Sequence, residues 1–230
     1  MLKQYIIGVL LLISYGLNAT QSAKIIAFAG LSGCGKSTMA RLLAEKNIAT
    51  AVIEPEEDQF HILIQKRDIY GYSSGMLAFR QMWLEMFMNA HQLKIAGDTV
   101  ILDGYFFKIY GYYLGKPGLE WLLAPNDPYL PLLKELNVLD EQYIPDADCV
   151  ILFDISLEDW KKCLHSRGRD WDKQPGFEES YAITKRYIDQ ATIDHCKRYN
   201  IRLVIFEHYF GDINEQAQRL ISLLQENNII

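Results

Sequence analysis

The chain has 230 residues, half of them apolar and 23% charged, and carries a net charge of −6. That length supports one sizeable core rather than two, and the composition is that of a globular chain, not a disordered one. The negative charge and the lack of any long basic tract argue against wrapping a nucleic-acid polymer, leaving room for a local basic pocket.

The chain opens with Lys3, an apolar run from Tyr5 to Ile13, and small and polar residues through Ala23. This outlines a signal or anchor in residues 1–23, too short for a comfortable membrane span. Neither Ala19 nor Ala23 follows a small-x-small cleavage pattern. An unstructured leader is the equal alternative, and membrane contact, if any, runs through this segment alone.

Ile25 to Ala29 form a buried-strand run, followed by Gly30, Leu31, Ser32, Gly33, Cys34, Gly35, Lys36, Ser37 and Thr38. Gly30, four residues, then Gly35-Lys36-Ser37 complete the GxxxxGK[ST] pattern of a phosphate-binding loop. Met39, Leu42 and Leu43 continue it at helical spacing. Glycines let the backbone adopt positive φ and approach phosphate oxygens, and the helix N-terminus presents free N–H groups to the anion. Lys36 is placed to reach the outer phosphates of ATP, and Ser37 to ligate Mg²⁺. Cys34 sits beside Lys36, where a thiol pKa can fall; a small residue filling a loop position is the plainer reading. With Cys149, Cys163 and Cys196 it shows no zinc or CxxC spacing, so all four are expected as free thiols.

Ile48 to Ile53 predict a second strand, stopped by Glu54-Pro55 and the acidic cluster Glu56, Glu57 and Asp58. A carboxylate at the C-terminal end of a parallel strand points into the ligand crevice. Met76 to Ala96 predict a long helix with Met76, Phe79, Trp83, Met86, Ala90 and Leu93 on a core stripe, and Gln81, Glu85 and Met88 on a different face that could line a pocket. Thr99 to Leu102 form a third strand ending in Asp103, where phosphate-loop proteins place the acid for Mg²⁺ or its waters. Residues 105–146 are rich in aromatics, Pro and Gly and suggest only short helices, near Leu119 to Leu123 and Leu130 to Leu136.

Cys149 to Ile155 make a fourth strand. Ser156 and Asp159 then form a capping box for a helix that runs into Ser166-Arg167-Gly168-Arg169-Asp170-Trp171-Asp172. Two arginines on a glycine hinge predict a lid that closes over ATP and keeps water from the reacting phosphate. A helix over Phe177 to Tyr199, a fifth strand over Ile201 to Phe206, and an amphipathic helix with Ile213, Ala217, Leu220, Ile221 and Leu224 on one side complete the chain. Alternating strands and helices predict an α/β, three-layer P-loop NTPase fold: a five-stranded parallel sheet, helices on both faces, an Arg-rich lid, and one domain over residues 24–230.

These features together resemble the deoxynucleoside kinases and their thymidylate kinase relatives. The likeness rests on the phosphate loop, Glu54-Pro55, Asp103, the Pro145-Asp146 lead-in to the fourth strand, and Arg167-Gly168-Arg169. It implies ATP- and Mg²⁺-dependent phosphorylation of a nucleoside 5′-hydroxyl or a nucleoside monophosphate. Glu54 would be the base, Lys36, Arg167 and Arg169 the cations, and Ser37 and Asp103 the metal residues. Asp172 would meet the sugar 3′-hydroxyl; Tyr70 would contact the sugar and Gln81 the base, with Phe60 and Phe79 stacking on it. Met88 and Ile109 fall where the family often has charged base readers, which favours a permissive, thymidine-like pocket.

Two departures remove positive charge: Gly104 stands where the family has an arginine, and Cys163 where it has a lid-helix cation. Lys108, Lys161 or Lys162 could compensate. The loop text is also similar to adenylylsulfate kinases, without their Asp-Gly-Asp-Asn segment. Another small-molecule P-loop kinase, and an ATP-binding protein without catalysis, stay open as alternatives, as does a homodimer. ATP dependence favours a cytoplasmic location over export or anchoring.

Overall fold

The structure, a computed structural model, describes residues 22–55, 65, 69–120, 122–169, 172 and 178–230. The apolar leader up to residue 21, the acidic cluster Glu56 to Asp58, Phe60, residues 170 and 171 of the expected lid segment, and residues 173–177 after it lie outside the described residues.

Five parallel strands form one sheet: β1 (Ile25–Ala29), β2 (Thr50–Val52), β3 (Val100–Asp103), β4 (Cys149–Ile155) and β5 (Arg202–His208), in the order β2-β3-β1-β4-β5. The strands β1 and β3 are buried at every position and β4 at all but Asp154, as expected where helices cover both faces. At one edge, β5 alternates between buried and exposed positions from Val204 onward. The described helices are α1 (Lys36–Glu45), α2 (Tyr72–Ala96), α3 (Phe106–Tyr113), α4 (Leu130–Tyr143), α5 (Leu157–Arg167), α6 (Tyr181–Arg198) and α7 (Ile213–Glu226). Helices α1 and α7 pack together, while α2, α3, α4 and α6 form a second group linked through α3.

Two differences from the sequence expectations lie in residues 105–146. Phe106–Tyr113 is helical although its aromatic composition gives no strong local signal. Burial stabilises it instead: Phe107, Ile109, Tyr110 and Tyr113 are almost fully covered, and α3 packs on both α4 and α6. The segment expected as a helix near Leu119 to Leu123 contains turns, with the Leu122 N–H donating to the Leu119 carbonyl at 2.9 Å. Leu119 and Leu123 serve as core plugs there. Ser156 is the N-cap of α5: its Oγ accepts the Asp159 N–H at 3.1 Å and donates to the Asp159 carboxylate at 2.9 Å.

Register places the site. Val52 pairs with Leu102 across β2 and β3, so Glu54 comes level with Gly104, one residue beyond Asp103. Strand order reverses around β1, with β3 on one side and β4 on the other. Beyond such a reversal, at the carboxyl ends of the strands, α/β sheets hold their ligands.

Candidate active site

The phosphate loop leaves β1 at Gly30 and enters α1 at Lys36. Gly35 is the N-cap at φ +87°, and no side chain caps the helix, which leaves its first N–H groups directed at the cavity. The loop is clamped from two directions. A Cβ on Gly33 would stand 2.4 Å from Leu164 Cδ2 and 3.1 Å from Arg167 Nη2, and one on Gly35 would stand 2.8 Å from His208 Nε2. The Trp160 indole of α5 adds a 2.8 Å hydrogen bond to the Ser32 carbonyl.

Lys36 is buried and folded back on its own loop. Its ammonium donates to the carbonyls of Gly30 at 3.1 Å and Leu31 at 2.7 Å, and lies 5.6 Å from the centre of the Phe106 ring. Those carbonyls hold the lysine where an anion on the helix N-terminus would find it. Cys34 is fully buried, and burial raises its thiol pKa despite the neighbouring lysine. It is a packing residue, not an activated thiol.

Two carboxylates line the same cavity. Glu54 accepts a hydrogen bond from the Trp83 indole N–H, Nε1 to Oε1 at 3.0 Å. Burial, and then the charge of Asp103, push its pKa up to about 7 against the opposing pull of Lys36, the Trp83 hydrogen bond and Arg169. Asp103 is 1% exposed, and its Oδ2 has no hydrogen-bond partner within the described residues. An orphaned carboxylate oxygen facing a second acid calls for a cation. Ser37 lines the same cavity, and the pair fits Mg²⁺, which takes one or two protein oxygens and keeps several waters.

The cavity holds about 620 Å³, in the range of a small-molecule site. Its remaining walls include Arg41 of α1, Ser166, Arg167 and Arg169 at the end of α5, and His208, Tyr209 and Phe210 after β5. Helix α5 ends at Gly168 in the left-handed conformation, which turns the chain between the two arginines. Arg167 makes a bidentate ion pair with Asp172, with Nε to Oδ2 at 2.8 Å. Burial, with Arg219 nearby, lowers the His208 pKa to about 4, so this imidazole is neutral at pH 7.

The structure brings Gly33, Gly35, Lys36, Ser37, Thr38, Glu54, Asp103, Arg167 and Arg169 around one cavity. It does not bring Tyr70, Gln81 or Met88 there. Tyr70 is 73% exposed, Met88 is 49% exposed, and Gln81 donates to Glu85 at the surface. The reason is helical phase: at 100° per residue, a helix that turns Trp83 towards Glu54 carries Gln81 and Met88 to solvent. Phe79 remains close to the site by stacking on Trp83 at 5.8 Å. Asp172 is engaged with Arg167, and Ile109 is buried in the core.

The expected compensating lysines are placed elsewhere. Lys108 is fully buried, donating to the carbonyls of Asp140 at 3.0 Å and Ile144 at 2.5 Å. Lys161 pairs with Glu178 and Lys162 with Glu158. Cys163 does line the cavity, with its pKa pushed up to about 11 by burial, and supplies no charge.

Three residues escaped sequence reasoning: Trp83, taken as core stripe; Arg41, one turn into α1; and His208, two residues past the expected end of β5. The polar end of an otherwise apolar strand was the available signal for His208.

A phosphate loop, an acid pair and an arginine-bearing segment stand around one cavity at the carboxyl ends of a parallel sheet, the arrangement of a P-loop fold. No protein-family model matches the chain. It is similar to probable thymidylate kinase 1 of Saccharolobus solfataricus, 26% identical over 218 residues that cover 89% of this chain and 98% of that protein. Among solved structures, a deoxyadenosine kinase from M. mycoides with bound dATP superposes with a TM-score of 0.63 at 17% identity, covering 87% of this chain and 99% of that one. A thymidylate kinase from Candida albicans superposes with a TM-score of 0.60 at 18% identity, covering 90% and 93%. At those identities the two structures speak for the fold alone. The chain has the fold of these P-loop enzymes and is similar in sequence to probable thymidylate kinases.

Proposed function

We propose that this chain transfers the terminal phosphoryl group of ATP to a (deoxy)nucleoside 5′-hydroxyl or to a nucleoside monophosphate. The observation that carries the reading is that Glu54, with its raised pKa, lines one cavity with Lys36 and the uncapped start of α1. A donor phosphate chain on the loop would lie between the ammonium and the carboxylate, the separation that phosphoryl transfer needs.

In this reading the N–H groups at the start of α1 bind the donor phosphates, and Lys36 leaves its carbonyl partners for the outer ones. Ser37 and Asp103 would hold Mg²⁺, which supplies charge neutralisation on the phosphate oxygens when bound. Glu54 takes the proton of an attacking hydroxyl; a carboxyl near pKa 7 is poised to do so at neutral pH. Arg167 and Arg169 add positive charge from the α5 side. Residues 24–230 form the catalytic unit, and an ATP requirement favours the cytoplasm.

Initial rates of ADP formation test the proposal, with ATP·Mg²⁺ and a panel of deoxynucleosides and their 5′-monophosphates. Transfer to at least one acceptor, abolished in Lys36→Ala, is expected. ATP binding without transfer to any acceptor would defeat it.

A further inference from the structure

The Pro145-Asp146 pair that leads into β4 has no part in the reaction described above. Asp146 precedes the amino end of that strand, whereas the cavity opens at the carboxyl ends of the sheet. Three buried groups nevertheless converge on its Oδ1: the Tyr105 hydroxyl donates at 2.7 Å, His195 Nε2 of α6 lies at 3.0 Å and the Lys108 ammonium at 3.4 Å. Facing a carboxylate, Nε2 is the ring nitrogen that carries the proton. Tyr105 is 1% exposed, and Lys108 and His195 are fully covered. The Tyr105 ring also stands edge-on to His195, 5.7 Å between centroids. Buried polar groups satisfied in this way hold one another in a single arrangement.

Tyr105 belongs to the turn by which the chain leaves β3. It is the N-cap of α3 and follows Gly104, which has φ +122° and lies so close to Glu54 that a Cβ there would stand 3.1 Å from Oε1. Phe106 comes next and lines the cavity, its ring 5.6 Å from the Lys36 ammonium and 5.5 Å from the Trp83 ring. Successive residues of one turn are therefore a buried anchor and a cavity wall. Lys108, one turn further into α3, fastens the same helix by donating to the carbonyls of Asp140 and Ile144.

We infer, building on the kinase reading above, that Asp146 is a positioning residue for the acceptor half of the site and acts through Tyr105 on the Phe106 wall. The turn sets Gly104 against Glu54 and Phe106 against Trp83, which donates to Glu54, so it borders the place where the acceptor arrives. The donor half is clamped by other elements. Trp160 of α5 bonds the Ser32 carbonyl, while Leu164 and Arg167 of α5 and His208 of β5 press on the loop glycines. The Asp146 link instead joins the start of α3 to α6 and to the β4 lead-in. Releasing it lets the Phe106 wall shift while the phosphate loop keeps its supports. A displacement of about 1 Å in such a wall is enough to cost up to about 100-fold in rate.

Steady-state rates on the full chain test this, with ATP·Mg²⁺ and whichever deoxynucleoside or 5′-monophosphate the parent phosphorylates fastest. Tyr105→Phe keeps the buried ring and removes only the hydroxyl; Asp146→Ala removes the acceptor of all three groups. Each should raise the acceptor KM about 10-fold or more, with the ATP dissociation constant from calorimetry unchanged. The double variant should match Asp146→Ala, because both substitutions cut one link. Tyr199→Phe is the control for packing alone: it removes a 2.8 Å hydrogen bond from the end of α6 to Glu141 of α4, and should leave the acceptor KM as it is. An unchanged acceptor KM in Tyr105→Phe, an additive double variant, or an equal rise in Tyr199→Phe overturns the inference and leaves the kinase reading intact. If Asp146→Ala does not fold, Tyr105→Phe against Tyr199→Phe decides. A parent that transfers phosphate to no acceptor defeats both readings.

Discussion

Asp172 grips the Arg167 guanidinium through both carboxylate oxygens, and the same guanidinium lies within 3.1 Å of where a Gly33 side chain would begin. The carboxylate assigned by resemblance to a sugar hydroxyl is here paired with an arginine that lies against the phosphate loop. Asp172→Ala should therefore act through ATP rather than through the acceptor. The KM for ATP should rise about 10-fold, the factor that corresponds to losing one modest charge-assisted contact, with the acceptor KM little changed. A rise confined to the acceptor KM would return Asp172 to the sugar.

In the proposed reaction Lys36 and Glu54 should separate kinetically, because one would hold the donor phosphates and the other would take the acceptor proton. Lys36→Ala should weaken ATP binding and turnover together. Glu54→Gln should keep ATP binding and lower kcat by about 10²- to 10⁴-fold, the usual contribution of a general base. Calorimetric titration of ATP alongside steady-state rates distinguishes the two, and an active Glu54→Gln enzyme would remove Glu54 from the mechanism.

The raised pKa of Glu54 also predicts a pH dependence of stability. The carboxyl sits at about 7 in the folded chain against an ordinary 4.5, so the folded state binds this proton more tightly than the unfolded one does. The resulting stabilisation is complete below pH 4.5 and is lost as pH rises through 7. Glu54→Gln carries no such loss. At pH 8 it should be more stable than the parent by about 3 kcal/mol, with the gap closing as the pH falls towards that of an ordinary carboxyl. Urea midpoints across this range measure it, and a constant gap would mean that Glu54 is not perturbed.

Gly35 offers a controlled test of the loop. At φ +87° a side chain is strained, and its Cβ would meet His208 Nε2 at 2.8 Å. Gly97, which ends α2, has a similar φ of +104° with nothing within 4 Å of its Cβ. Both alanine variants should lose about 1–3 kcal/mol from backbone strain. Only Gly35→Ala should also lose ATP binding, as followed by the thermal shift on adding ATP·Mg²⁺. Equal shifts in the two variants would show that the fit of Gly35 against His208 is irrelevant to the nucleotide.

The sequence by itself determined the phosphate loop, the five strands and their parallel class, the acids after the second and third strands, and the arginine segment behind the fourth. Each is a local statement: a glycine spacing, an apolar run with its stop, a capping box, a hinge glycine between two cations. Such features depend on φ preferences and on burial within a few residues, and the chain carries them in linear order.

Tertiary structure decided which face of α2 meets the site. The apolar stripe through Trp83 was legible, but an indole that packs also donates a hydrogen bond, and only the register of β2 against β3 sets Glu54 within its reach. Gln81 and Met88 went to solvent for the same reason of phase. Packing likewise made a helix of Phe106–Tyr113 and buried Lys108 beneath carbonyls of the Asp140–Ile144 segment, where composition suggested a loop and a spare cation. It also carried His208 onto Gly35 across 172 intervening positions of chain. Contacts of that range are selected by how whole elements fill the core, and nothing within a short window of residues encodes them.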